Sequence, residues 1–135
     1  MLGGFTRHLA ETLMDSIAWK AMRIAYNTGA VIGGSSAGAM VLCEHYFDQA
    51  SGQVMPGLNL LPSYCVLPHH DTFGKSWAPP LTRLLPDACL LGIDEETGLL
   101  NDGPAGEWTV YGKGAATVYS SSGQTDRKST RLNPV

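Results

Sequence analysis

Gly34-Ser35-Ser36-Ala37-Gly38 sets a serine between two glycines in the pattern Gly-x-Ser-x-Gly. A strand that turns through such a segment into a helix presents the hydroxyl above a sheet, and the glycines leave room where side chains would collide. The bare pattern also fits an ordinary glycine-rich turn. Its flanks favour chemistry, because the apolar run Ala30-Val31-Ile32 precedes it and helically spaced apolar residues follow from Ala39. A serine at its usual pKa is a weak nucleophile, so it needs a base within hydrogen-bond reach and an acid to orient that base. The backbone N–H of Ala37, at the start of the following helix, is placed to receive an oxyanion, helped by the helix dipole.

The candidate bases are His8, His45, His69 and His70. His8 and His45 fall in expected helices. His69 follows the short apolar run Tyr64-Cys65-Val66-Leu67, at the carboxyl edge of the sheet where open α/β folds place their sites. It is the preferred base, with His70 as the alternative. Neighbours on a strand face opposite ways, which argues against joint action of His69 and His70 and against a metal site built from them with Asp71. Glu95 follows another apolar run, Ala88 to Ile93, and reaches the same edge as the orienting acid; it reads equally well as part of a solvated acidic turn with Asp94 and Glu96. A Ser36, His69, Glu95 set requires neither a metal nor an organic cofactor.

The elements that must position these groups follow from periodicity. Leu9, Leu13, Ile17, Ala21, Ile24 and Ala25 recur three or four apart, predicting an amphipathic helix over 6–27 packed on one face and stopped by Gly29. Asp15-Ser16 can divide it by capping a second helix. Ala30-Val31-Ile32 suits a buried parallel strand, and a helix is expected from the serine turn through Phe47. A loop over 49–62, the strand Tyr64–Leu67, a short helix with Pro80 in its first turn and ending near Pro86, and the strand up to Ile93 come next. From Thr97 onward, turns at Asp102-Gly103 and at Gly112-Lys113-Gly114 predict an antiparallel meander with Trp108, Val110, Val118 and Tyr119 as its apolar members. The fold class is α/β: a mostly parallel, flavodoxin-like sheet flanked by helices, with an antiparallel C-terminal extension.

A chain of 135 residues has room for one domain. A formal net charge of −3 leaves no electrostatic footprint for nucleic acid. No apolar run reaches the ~18 residues of a membrane span, and charged residues occupy the place of a signal peptide, so a cytoplasmic protein is expected. Cys43, Cys65 and Cys89 lack metal or redox spacing and read as buried free thiols. The polar, basic run over 126–135 differs in texture from what precedes it and resembles the translation of a sequencing-adaptor oligonucleotide. The catalytic domain is therefore assigned to 1–125 and the last ten residues are set apart as a non-native tail.

Chain order separates architectures. An α/β-hydrolase places its histidine last, but no histidine follows His70. Ser36, His69, Glu95 is the order of class I glutamine-amidotransferase-like folds with serine in place of cysteine; Cys43 lies too far along the helix to substitute. Gly33-Gly34-Ser35-Ser36-Ala37-Gly38-Ala39-Met40, Pro68-His69 and Gly92-Ile93-Asp94-Glu95-Glu96-Thr97 together resemble the cyanophycinase and peptidase E (aspartyl dipeptidase) family of serine peptidases, over roughly Leu2 to Tyr119. The resemblance implies Ser36 as nucleophile, His69 as general base and Glu95 as orienting acid, with Gly3-Gly4 and the Ala37 N–H forming the oxyanion hole. It also implies hydrolysis of peptide bonds next to aspartyl residues, α-linked or β-linked, in a small peptide or other Asp-containing substrate, without a cofactor. Phe5 departs from it, standing where a small polar residue is common.

Members of that family begin well upstream, so this chain reads as a partial domain lacking N-terminal strands. An uncovered apolar edge then favours self-association, a homodimer included. Two other functions fit the same residues: a non-catalytic binding member or inactive fragment, and an esterase with the same machinery. Arg7 and Arg83 are the arginines nearest the site segments.

Overall fold

Two short helices follow the N-terminal glycines, α1 (Thr6–Leu13) and α2 (Ile17–Asn27). The computed structural model describes residues 1–102, 107–121, 123–128 and 131–132, with backbone alone at 126–128 and 131–132. The break between the helices is the capped one: Asp15 takes φ 61°, and the Ser16 hydroxyl accepts the Trp19 N–H at 3.0 Å. The chain forms two compact units, Met1–Pro62 and Ser63–Val135.

In the first unit α1 packs on α3 (Ala37–Leu42), burying Ala10 and Met40, and the Thr6 hydroxyl reaches the Met40 sulfur at 3.7 Å. The predicted packing of the whole helical stripe is not observed. Trp19 is buried on α2, but Ile17, Ala21, Ile24 and Ala25 are exposed. The run Ala30-Val31-Ile32 forms no strand, and Val31 is 94% exposed. A strand needs a neighbouring backbone along its length, whereas the bonds here fall beyond the apolar run: the Met1 ammonium donates to the Gly33 carbonyl at 2.6 Å, and the Ser35 N–H donates to the Met1 carbonyl at 3.0 Å.

The helix expected through Phe47 ends at Leu42. His45–Asp48 is strand β1, antiparallel to β2 (Gln53–Pro56), with Tyr46 opposite Met55. Its burial alternates, with Tyr46 and Asp48 inside, a period of two that overrides the helical spacing. Asp48 builds the turn, accepting the Ser51 hydroxyl at 2.7 Å and, through its carbonyl, the Gly52 N–H at 2.8 Å. His45 therefore lies in a strand rather than a helix.

In the second unit β3 (Tyr64–Leu67) runs parallel to β4 (Cys89–Ile93), joined through a 3-10 turn (Gly74–Trp77) and α4 (Ala78–Leu84). β5 (Thr97–Leu100), β6 (Trp108–Gly112), β7 (Ala115–Ser120), β8 (Gly123–Lys128) and β9 (Arg131–Leu132) follow. The sheets are ordered β3-β4-β7-β8 and β5-β6-β9. Cys65, Leu67, Leu81, Leu90, Val110 and Ala116 are fully buried.

The expected mostly parallel sheet is thus corrected: among the described strands, β3 with β4 is the parallel pair and the others are antiparallel. A parallel neighbour needs a crossover, which the segment carrying α4 supplies between β3 and β4. The meander also divides, because β6 joins β5 while β7 returns to β4. The turn predicted at Asp102-Gly103 lies partly outside the described residues. The backbone of Asp126, Arg127 and Lys128 pairs with Thr117, Ala116 and Ala115, so the run set apart after Thr125 takes part in β8.

Replacing the cap, Ser16→Ala, should lower stability by about 1 kcal/mol, with faster amide exchange at Trp19 as the local check. Burial pushes the Cys89 thiol up from 9.0 to about 11. The unfolded chain therefore releases this proton first, and stability should fall as pH rises through that window. Urea midpoints of Cys89→Ala should lack that part of the decline.

Candidate active site

The first unit supplies the serine turn. Ser36 adopts φ 53° and ψ −118°, a conformation side chains rarely occupy, at the head of α3. A methyl group at Gly34 would stand 2.2 Å from the Gly38 carbonyl oxygen, and one at Gly38 would stand 2.5 Å from the Met1 carbonyl oxygen. Both glycines are therefore steric requirements of the turn. Gly3 lies against the nucleophile candidate, its missing Cβ 3.2 Å from the Ser36 Cβ and 3.5 Å from Oγ. Gly4 follows with φ 141°, Ala37 is buried, and Phe5 is 88% exposed.

The second unit supplies the histidine and the acid. β3 ends at Leu67, Pro68 is buried, and His69 takes φ 50°. The loop that carries it is closed by Gly74, whose N–H donates to the His69 carbonyl at 2.9 Å and whose Cβ would stand 2.0 Å from the Pro68 carbonyl. His69 Nδ1 lies 3.0 Å from Glu95 Oε1. The two side chains are 34% and 51% exposed, so solvent screens their attraction. Phe73 stacks on the imidazole with centroids 5.0 Å apart, and Trp77 packs against Phe73.

His70, the alternative base, is committed elsewhere. It is buried, with Nε2 2.8 Å from the Tyr119 hydroxyl and Nδ1 3.4 Å from Asp94 Oδ1. A methyl group at Gly92 would stand 2.3 Å from the His70 ring, so this glycine makes room for it. The two neighbouring histidines thus part to different partners in the turn that follows β3, where His69 takes φ 50°. The acidic turn is likewise divided: Glu95 meets His69, Glu96 pairs with Lys113, and Asp94 Oδ2 accepts the Ala115 N–H at 2.8 Å.

Among the other predicted residues, Arg7 pairs with Glu11 at 2.8 Å on the exposed side of α1, and Arg83 is exposed in the last turn of α4. His8 is exposed, and the buried His45 Nδ1 has no partner among the described residues. Sequence reasoning weighed Asp71 only as a metal ligand and missed its bond to the Glu95 N–H, 2.8 Å from Asp71 Oδ1. Its place two residues after His69 is the signal that was available. Tyr119 was read only as an apolar strand residue, and nothing in its spacing marks the hydroxyl as a partner of His70.

Residues 1–106 match the model of peptidase family S51. A solved structure, the crystal structure of a peptidase from an acI-B1 Actinobacterium, is similar at a TM-score of 0.83 and 29% identity over 97% of this chain. The present chain spans 57% of that one. The comparison with curated proteins gives no match. Among the described residues no helix is long and apolar enough to cross a membrane.

Gly34→Ala should destabilise the protein by about 1–3 kcal/mol through overpacking. Gly33→Ala, where a Cβ meets nothing within 4 Å, should leave the thermal midpoint nearly unchanged.

Proposed function

Because the chain belongs to peptidase family S51, we propose that it acts as a serine peptidase through Ser36, His69 and Glu95. The Ser36 hydroxyl attacks the scissile carbonyl carbon. His69 takes the hydroxyl proton at Nε2 and returns it to the leaving amine, while Glu95 holds Nδ1. Water then hydrolyses the ester, with His69 as base again. The backbone N–H groups of Gly3, Gly4 and Ala37 receive the oxyanion.

The observation that carries this reading is the backbone of Ser36, held at φ 53° and ψ −118° between two sterically required glycines. A strained turn of this kind at the head of a helix is the conformation that lifts a serine hydroxyl clear of its neighbours. The 3.0 Å approach of His69 Nδ1 to Glu95 adds the oriented base. By resemblance, the substrates are small peptides cut beside an aspartyl residue, through the α or the β linkage. Three cysteines outside any disulfide suit a reducing, cytoplasmic setting, and the exposed apolar residues of α2 favour a homodimer.

That same exposed apolar face favours a second reading, a binding member of the fold without turnover. A fluorophosphonate probe separates the two. Labelling of the wild-type chain that disappears in Ser36→Ala, with cleavage of aspartyl dipeptides or β-aspartyl peptides, is expected. Ser36→Ala and His69→Ala should each lower kcat by about 10^4-fold or more, and Glu95→Gln by about 10^3–10^4-fold. A folded wild-type chain that takes no label and cleaves none of these peptides overturns the peptidase reading.

A further inference from the structure

His69 and Glu95 meet through one bond between two half-exposed side chains, and such a bond alone fixes little. Glu95 sits on a turn between β4 and β5 that must stay in register with the loop after β3. Several bonds tie that turn to its own side of the sheet. Asp94 accepts the Ala115 N–H at 2.8 Å, the Thr97 hydroxyl donates to the Glu95 carbonyl at 3.0 Å, and the Lys113 N–H donates to the Glu96 carbonyl at 3.1 Å.

Two bonds join the Glu95 residue itself to the loop that carries the histidine. One is the His69 to Glu95 side-chain contact; the other runs from the Glu95 N–H to Asp71 Oδ1 at 2.8 Å. Asp71 is two residues from His69, and its loop is closed on the His69 carbonyl by the Thr72 N–H and hydroxyl and by the Gly74 N–H. The His69 loop therefore grips Glu95 at both its carboxylate and its main chain.

We infer that Asp71 is a positioning residue, a clamp that sets the Glu95 carboxylate opposite His69 Nδ1, so that the imidazole proton sits on Nδ1 and Nε2 is the basic nitrogen. The inference rests on the Ser36, His69, Glu95 reading. A backbone N–H is accepted by a carboxylate oxygen and, more weakly, by an amide oxygen. Asparagine keeps that oxygen and alanine removes it, so Asp71→Asn should preserve what Asp71→Ala loses.

The test is the protonated nitrogen of each imidazole, read by long-range 1H–15N NMR of histidine-labelled chain at a pH where the rings are neutral. In the wild type His69 should carry its proton on Nδ1, donated to Glu95. In Asp71→Ala the population should move toward Nε2–H, and in Asp71→Asn it should remain on Nδ1. The His70 signals, set by Tyr119 and Asp94, should be unchanged throughout and report that the sheet is intact. Turnover in Asp71→Ala should fall in kcat by about tenfold to a hundredfold with little change in KM.

A His69 that keeps Nδ1–H in Asp71→Ala, with His70 unchanged, overturns the clamp. If Asp71→Ala disturbs His70, Asp71→Ser makes the same comparison, because its shorter side chain falls short of the Glu95 N–H. A tautomer shift in a chain that cleaves no peptide upholds the clamp and refutes the peptidase reading instead.

Discussion

The parallel pairing of β3 with β4 is the constraint on which the second unit's part of the site depends. Leu67 stands opposite Gly92, so the two strands run out within a residue of each other at one edge. The bond from the His70 N–H to the Ile93 carbonyl, 3.0 Å, carries that register one step past β3. A slip by one residue would shift the loop that carries His69 along the turn that carries Glu95 and separate the two. The register is held by burial: Cys65, Val66, Leu67, Leu90 and Leu91 are all inside, so either strand moves only by exposing apolar surface. β7 completes the support from the far side of β4, where Leu91 pairs with Val118.

The first unit reaches its local geometry by another route. α3 has six residues, far fewer than the ~12–15 an isolated helix needs. Its stability is tertiary. The segment after β2 turns back on it, so that the Leu58 N–H donates to the Val41 carbonyl at 2.7 Å and the Leu60 N–H to the Leu42 carbonyl at 2.9 Å. A methyl group at Gly57 would stand 2.2 Å from the Cys43 carbonyl, so this return depends on glycine as much as the serine turn does. α3 is thereby fixed at its carboxyl end by backbone bonds and along its side by α1. A helix fixed in this way can hold a strained residue at its head.

What was legible in the sequence divides along the same physical line. Tyr64–Leu67 and Cys89–Ile93 were plain because continuous apolar runs buried on both faces have no other use in a short chain. The break at Ser16 was visible as an alternative to one continuous helix, because capping chemistry is local. His45–Asp48 was not legible, since Tyr46 and Phe47 satisfy a helical stripe as well as a strand, and a turn built by Asp48 decides between them. Ala30-Val31-Ile32 has strand-forming residues, but a strand also requires a partner that no single segment encodes. At the candidate site, turn chemistry and edge position nominate Ser36 and His69, Glu95 reads equally well as a solvated turn residue, and the structure brings His69 Nδ1 to 3.0 Å from Glu95. The roles of Asp71 and Tyr119 are set by pairings 24 and 49 residues apart, which no local pattern carries.

Backbone strain gives an independent measure of where the chain is under functional constraint. Among the described residues, six other than glycine have positive φ: Asp15, Ser36, Asn59, Ser63, His69 and Glu96. Asp and Asn tolerate that region because their side chains bond the local backbone, and single serines at turns carry a modest cost. Histidine enters that region more readily than most side chains, glutamate does not, and Ser36 pairs its φ with a ψ of −118° outside the left-handed helical well. Each such residue costs on the order of 1–3 kcal/mol and persists only where its surroundings over-determine it. Three of the six are the candidate nucleophile, the candidate base and the residue that follows the candidate acid. Strain held at these turns agrees with the chemistry proposed for Ser36, His69 and Glu95.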